Sequence, residues 1–83
     1  MEYFVITFSN THSAISAEKK LKDVAEIQIM PTPREISNGC GIAIRYGPEE
    51  AGRVLEVLSD IELSAELYSI YRFSDGIFSL SEL

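Results

Sequence analysis

The stretch Glu26-Ile27-Gln28-Ile29-Met30-Pro31-Thr32-Pro33-Arg34-Glu35-Ile36-Ser37-Asn38-Gly39-Cys40-Gly41-Ile42-Ala43-Ile44-Arg45-Tyr46 holds two alternating apolar runs with no helical period between them. Glu26 to Met30 alternates with Ile27 and Ile29 inward. Pro31 cannot donate to a ladder and stops the run, which therefore reads as a short strand at a sheet edge. The Pro31-Thr32-Pro33 segment then forces an extended loop. Gly41 to Tyr46 alternates again, with Ile42, Ile44 and Tyr46 on one side and Ala43 and Arg45 on the other. Two strands thus follow one another directly, and their flanks decide the fold.

On the N-terminal flank, Glu2 to Phe8 is rich in β-branched and aromatic residues, with Phe4, Ile6 and Phe8 on one face and Tyr3, Val5 and Thr7 on the other, as in a central strand. The polar cluster Ser9-Asn10-Thr11-His12-Ser13 breaks it and supplies N-cap candidates for a helix starting near Ser13. Ala14, Ala17, Leu21 and Val24 form that helix's apolar stripe, and Glu18 and Lys22 pair at i,i+4. On the C-terminal flank, Gly47-Pro48-Glu49-Glu50 reads as a helix start, with proline early and acids in the first turn. Ala51, Val54, Leu55 and Leu58 continue it at i, i+3, i+4 and i+7. A fourth strand is expected from Ala65 to Phe73. Ser74-Asp75-Gly76 is a hairpin signal that returns Ile77 to Leu80 as a fifth. The order predicts an α+β, ferredoxin-like β-α-β-β-α-β sandwich with an antiparallel sheet: one domain, with a core over about 2–71 and a C-terminal extension over 72–83.

Composition sets the bounds. The chain has 83 residues, 46% of them hydrophobic, enough for one core and too few for two. At about 0.05–0.15 kcal/mol per residue its stability falls on the order of 4–12 kcal/mol, too little to support a demanding catalytic centre. Thirteen acids against seven basic residues leave a net charge of −6, which repels nucleic acid. Lys19, Lys20 and Lys22 cluster on the polar side of the first helix, toward its C-terminal end, where cations complement the dipole. No stretch approaches the length of a membrane span, and the N-terminus lacks signal-peptide features, so a cytoplasmic location is expected. One cysteine cannot form an internal disulfide, in keeping with a reducing compartment.

In the expected topology the first two strands run parallel with the third between them. The loop over Pro31–Gly41 then emerges at the same end of the sheet as Ser9–Ser13. Cys40 would face His12 and the first helix's N-terminus, two features that favour a thiolate, with Arg34 as a third. Gly39 and Gly41 flank the cysteine without side chains and would open the sulfur to a partner. Two readings stand side by side. Cys40 is an accessible reactive thiol, or Gly39-Cys40-Gly41 is a tight turn with the cysteine as a small, half-buried hydrophobe. His12 is a proton partner for the thiol or a polar residue before a helix cap; Arg34 and Arg45 bind an anion or pair with acids.

The absence of CxxC removes dithiol exchange within the chain. With one cysteine and one histidine, an intrachain zinc site would need two carboxylates, although a metal shared across a dimer through Cys40 and His12 stays open. Neither GxGxxG nor GxxxxGK[ST] occurs, so no nucleotide cofactor is implied.

Thr7-Phe8, Ser9, Thr11-His12, Ala14 and Ala17-Glu18, then Pro31-Thr32-Pro33-Arg34-Glu35-Ile36-Ser37, Cys40-Gly41 and Ala43-Ile44-Arg45 together resemble the selenium/sulfur carrier-like proteins, formerly a domain of unknown function. The resemblance covers about residues 3–71. It implies a carrier, more an accessory protein than an enzyme, in which Cys40 holds a persulfide or perselenide for a partner enzyme. A lone thiol suits that role, because persulfidation is a reversible cap needing no second cysteine. Thr11, His12, Arg34, Ser37, Gly39 and Gly41 are the accompanying site residues, and sulfur or selenium donor and acceptor proteins are the implied partners. Two departures are visible. Gly39 stands where a small hydroxyl residue is expected, and the tail Arg72–Leu83 suggests an added strand and a homodimer contact. The competing reading is a ferredoxin-like interaction or ligand-sensing module, with an incidental cysteine and an association face bearing Tyr3, Val5 and Ala43.

Overall fold

The alternation of Tyr3–Phe8 buries both faces of one strand: Ile6 and Phe8 point to one side, Val5 and Thr7 to the other, and all four are inaccessible to solvent. In the computed structural model, which describes residues 2–37, 39–61 and 66–81, this strand is β1. It is followed by α1 (Thr11–Leu21), β2 (Ile27–Pro31), β3 (Ile42–Tyr46), α2 (Ala51–Asp60), β4 (Tyr68–Ser74) and β5 (Ile77–Ser81). Short 3₁₀ turns at Arg34–Ile36 and Pro48–Glu50 precede β3 and α2. The strands form one antiparallel sheet in the order β2-β3-β1-β4-β5, so β1 is central and β2 and β5 are edges. Ile6 pairs with Ile44 of β3 and Ile70 of β4, and Ile29 of β2 pairs with Ile44 from the outside. The architecture is α+β, with β3 antiparallel to both β1 and β2 and lying between them.

One face of the sheet carries the helices. Ile6, Phe8, Ile44, Tyr46 and Ile70 meet Ala14, Ala17 and Leu21 of α1 and Val54 and Leu58 of α2. Each large side chain fully buried there contributes roughly 1.5–3 kcal/mol. Ala51 and Leu55 pack at the margin of this core, completing the expected α2 stripe.

Helix α1 departs from expectation at both ends. Asn10 is its N-cap, with φ −151° and a side-chain oxygen accepting the Ser13 N–H at 2.8 Å, so the helix starts at Thr11, two residues early. The helix ends at Leu21, and Val24, expected on the stripe, is 45% exposed. Lys22 is the C-cap, its backbone N–H donating to the Glu18 carbonyl, and among the described residues no ion pair joins the two side chains. Ile29 is also corrected: it shares a face with Ile44 but lies on edge strand β2, where Ile27 packs against the core and Ile29 is 50% exposed.

The opposite face is partly roofed by its own loop. Ile36 of the Arg34–Ile36 turn packs onto Val5 and Ala43, beside Tyr3, Met30, Tyr71 and Phe78. Val5 and Ala43 are therefore closed to a partner, which corrects the association face expected from the alternation. The expected start of β4 at Ala65 lies outside the described residues. The hairpin after β4 turns on Asp75 and Gly76, both at positive φ (54° and 79°), between the paired residues Ser74 and Ile77. These are the angles of a two-residue type I′ turn, whose twist matches the strands. Among the described residues no helix is long and apolar enough to cross a membrane.

Candidate functional site

Cys40 lies two residues before β3 on the same side as Ile42 and Ile44, which sends its side chain toward the helical layer. It is 2% exposed and belongs to the main core with Phe8, Ala14 and Ala17. The expected exposed thiol is thus corrected. Gly39 and Gly41 are themselves exposed, but the sulfur turns inward beneath the first turn of α1.

Two polar groups reach the sulfur. The Ile42 N–H donates to Sγ at 3.4 Å, and Thr11 Oγ1 lies 3.7 Å from Sγ, where either atom can be the donor. Because Asn10 starts the helix, Thr11 opens its first turn, so the hydroxyl and the positive end of the helix dipole approach the sulfur together. Such contacts strengthen when the acceptor carries charge.

The loop around the cysteine is held by its backbone. Thr32 Oγ1 donates to the Cys40 carbonyl at 3.0 Å, and the Thr32 N–H donates to the Gly41 carbonyl at 3.1 Å, extending the β2–β3 ladder past Pro31 and Ile42. Gly39 has φ +106°, and a Cβ there would stand 3.2 Å from the Ser9 carbonyl oxygen. Any other residue at 39 meets both the left-handed backbone penalty and that contact. Ser9 is in turn fixed to the segment before β4, its N–H donating to the Leu67 carbonyl at 2.9 Å. The β1–α1 and β2–β3 loops therefore meet at one end of the sheet.

Of the expected site residues, the structure brings Thr11, Gly39 and Gly41 to Cys40 and leaves three apart from its sulfur. His12 is exposed one position further along α1, a rotation of about 100° from Thr11. Among the described residues it has no hydrogen bond or ion pair with the cysteine. Arg34 and Ser37 are exposed at the Arg34–Ile36 turn, which packs through Ile36 on the sheet face away from the sulfur. Thr32 and Asn10 were missed. Thr32 was legible as a hydroxyl residue one step beyond the strand-ending Pro31, opposite Gly41. Asn10 was one of five consecutive polar residues from Ser9 to Ser13, four of them good caps.

Among the described residues no group of three or more His, Cys, Asp or Glu side chains is placed to hold a metal ion. A cavity of about 390 Å³ lined by Glu2, Tyr3, Glu26, Arg45 and Tyr46 sits at the other end of β1 and β3 from Cys40.

Over 42 residues the chain is 45% identical to an uncharacterized protein of Methanocaldococcus jannaschii, a match that covers 51% of this chain and 21% of that protein. The matched segment thus spans about a fifth of that relative's length. No solved structure is significantly similar. The family described as "Putative Se/S carrier protein-like" matches over residues 3–70, which take in both loops around Cys40 and the strands and helices that carry them, and the chain belongs to that family.

Proposed function

We propose that this chain is a sulfur or selenium carrier, with Cys40 holding a persulfide or perselenide for transfer to a partner enzyme. The observation that carries the reading is that the only cysteine of a family member sits where the β1–α1 and β2–β3 loops converge, with Thr11 and the Ile42 N–H on its sulfur. The Cys40 thiolate attacks the terminal sulfur of a donor persulfide. A new S–S bond forms on Cys40, the donor's S–S bond breaks, and the donor sulfur leaves as a thiolate. No net oxidation and no second cysteine are needed. Burial of Cys40 requires the Thr11 side or the Gly39–Gly41 backbone to open before the donor reaches it. Exposed His12, Arg34 and Ser37 are then contacts for the arriving donor. The protein acts as an accessory carrier in the cytoplasm, with no cofactor of its own. Its fold is ferredoxin-like over about 2–71, with β1 and β2 flanking β3 and with residues 72–83 appended; the strand order supports this.

The test is intact mass of the protein purified from its native host without reductant, after growth with varied sulfur and selenium supply. An adduct of one sulfur or selenium on Cys40, absent from Cys40→Ser, is expected. If no supply ever loads Cys40, the carrier reading fails. The burial of Cys40 favours the second reading, an interaction module in which the cysteine is a small core residue.

A further inference from the structure

Strand β5 forms the outer edge of the sheet, Ile77-Phe78-Ser79-Leu80-Ser81, and carries no charged residue, proline or glycine. Such an edge is a template for another strand unless it is blunted. The other edge, β2, ends in Pro31, whereas Ile77 and Leu80 of β5 are 64% and 63% exposed. The family match ends at residue 70, so β5 and most of β4 lie beyond it.

The hairpin determines which backbone groups face outward. A two-residue type I′ loop closes on a hydrogen-bonded pair, here Ser74 and Ile77. Hydrogen-bonded and non-hydrogen-bonded pairs alternate in an antiparallel ladder, so Phe78 and Leu80 turn their N–H and C=O away from β4. Both side chains also lie on the sheet face of Tyr3, Phe73 and Tyr71: Phe78 opposite Phe73 and Leu80 opposite Tyr71. Tyr3 stacks on Phe73 with centroids 4.8 Å apart, and Phe78 meets Phe73 at 4.8 Å, giving an aromatic row that runs out to the edge.

We propose that β5 pairs antiparallel with β5 of a second copy about a two-fold axis through Ser79, joining two five-stranded sheets into one. In that register the strand is self-complementary. Phe78 of one copy then lies opposite Leu80 of the other, so the two outward-facing residues exchange backbone hydrogen bonds in both halves. Their side chains form an aromatic–aliphatic pair on each side of the axis. Centring on Phe78 instead would set Leu80 against Gly76, with no side chain to meet it. The uncharged strand lets two chains of net charge −6 approach here. Two short strands cover less than the roughly 1,200 Å² of a stable interface, so the dimer is weak and concentration-dependent. This pairing is independent of the carrier reading and is tested without reference to Cys40 loading.

Sedimentation equilibrium of the whole chain, from micromolar to millimolar concentration, should show a reversible monomer–dimer transition. Leu80→Lys, at an exposed position that does not require burial, should raise the dissociation constant at least tenfold. Ile15→Lys, at an exposed position of α1, should leave it unchanged. Ser79→Cys should form a 79-to-79 disulfide dimer on mild oxidation, identified by peptide mapping, because non-hydrogen-bonded antiparallel pairs meet disulfide geometry. A monomer at every concentration, a dimer indifferent to Leu80→Lys, or a dimer that never yields the 79-to-79 bond would overturn the proposal.

Discussion

Thr11 Oγ1 of α1 stands 3.7 Å from Cys40 Sγ before β3, a contact between residues 29 positions apart that ties the helix's first turn to the only cysteine. With the sulfur 2% exposed, alkylation has to wait for local opening. A hydrogen bond of this kind contributes about 1 kcal/mol, roughly a fivefold change in the open population. Thr11→Ala should therefore speed iodoacetamide labelling of native Cys40 about fivefold or more, while Thr11→Ser stays near the parent rate. Labelling followed by intact mass reads this directly. Equal rates in Thr11→Ala and the parent would show that the hydroxyl does not cover the sulfur. His12→Ala, one residue on and exposed, should change the rate less than twofold.

How far the site was legible depends on which interactions are local. Alternation in Tyr3–Phe8 and Ile42–Tyr46 correctly separated the two sheet faces, and Ser74-Asp75-Gly76 located the final hairpin, because side-chain period and turn angles are properties of neighbours in sequence. The exposure of Cys40 was misread from its glycine neighbours, since burial there comes from Phe8, Ala14 and Ala17, distant in sequence, and the start of the overlying helix is set by the cap at Asn10, chosen among several chemically equivalent candidates. The roofing of Val5 and Ala43 by Ile36 is likewise non-local: nothing in the Arg34–Ile36 run announces which sheet face it covers. Ile29 had the right period for the core, but on edge strand β2 only Ile27 packs against the main core and Ile29 is left half exposed.

Gly39 and Gly41 flank the same cysteine but carry different constraints. At Gly39, with φ +106° and the Ser9 carbonyl 3.2 Å from where a methyl group would sit, Gly39→Ala should cost about 1–3 kcal/mol. A Cβ at Gly41 meets nothing within 4 Å, so Gly41→Ala should stay within about 0.5 kcal/mol of the parent. Urea unfolding measures both, with a lower midpoint at unchanged slope for the first. Equal midpoints would mean that the loop relaxes around residue 39 without cost.

Thr7 presents a hydroxyl in the wrong surroundings for one. Its side chain is fully buried in central strand β1, and among the described residues Oγ1 has no hydrogen-bond partner. An unpaired buried hydroxyl carries a desolvation penalty on the order of 1–3 kcal/mol. Thr7→Val keeps the shape and the β-branching while removing that penalty. It should stabilise the protein by about 1 kcal/mol or more, seen as a raised urea midpoint; a destabilised variant would show that the hydroxyl has a partner in solution.

Tyr46 closes β3 at the end of the sheet away from Cys40, and burial, with a smaller contribution from the neighbouring Tyr68, pushes its phenol from 10.0 up to about 12. Its folded value lies above its unfolded one, so between the two the unfolded chain has lost a proton that the folded chain keeps. Stability is then fully present below about pH 10 and falls as pH rises toward 12, by on the order of 1–3 kcal/mol in total. Tyr46→Phe retains the ring stacked on Phe4 at 5.5 Å and removes the titration. The difference in unfolding free energy between Tyr46→Phe and the parent should be nearly constant below pH 10 and shift in favour of the variant as pH climbs to 12. A difference that stays flat across that window would show that the folded protein ionises Tyr46 as readily as the unfolded chain does.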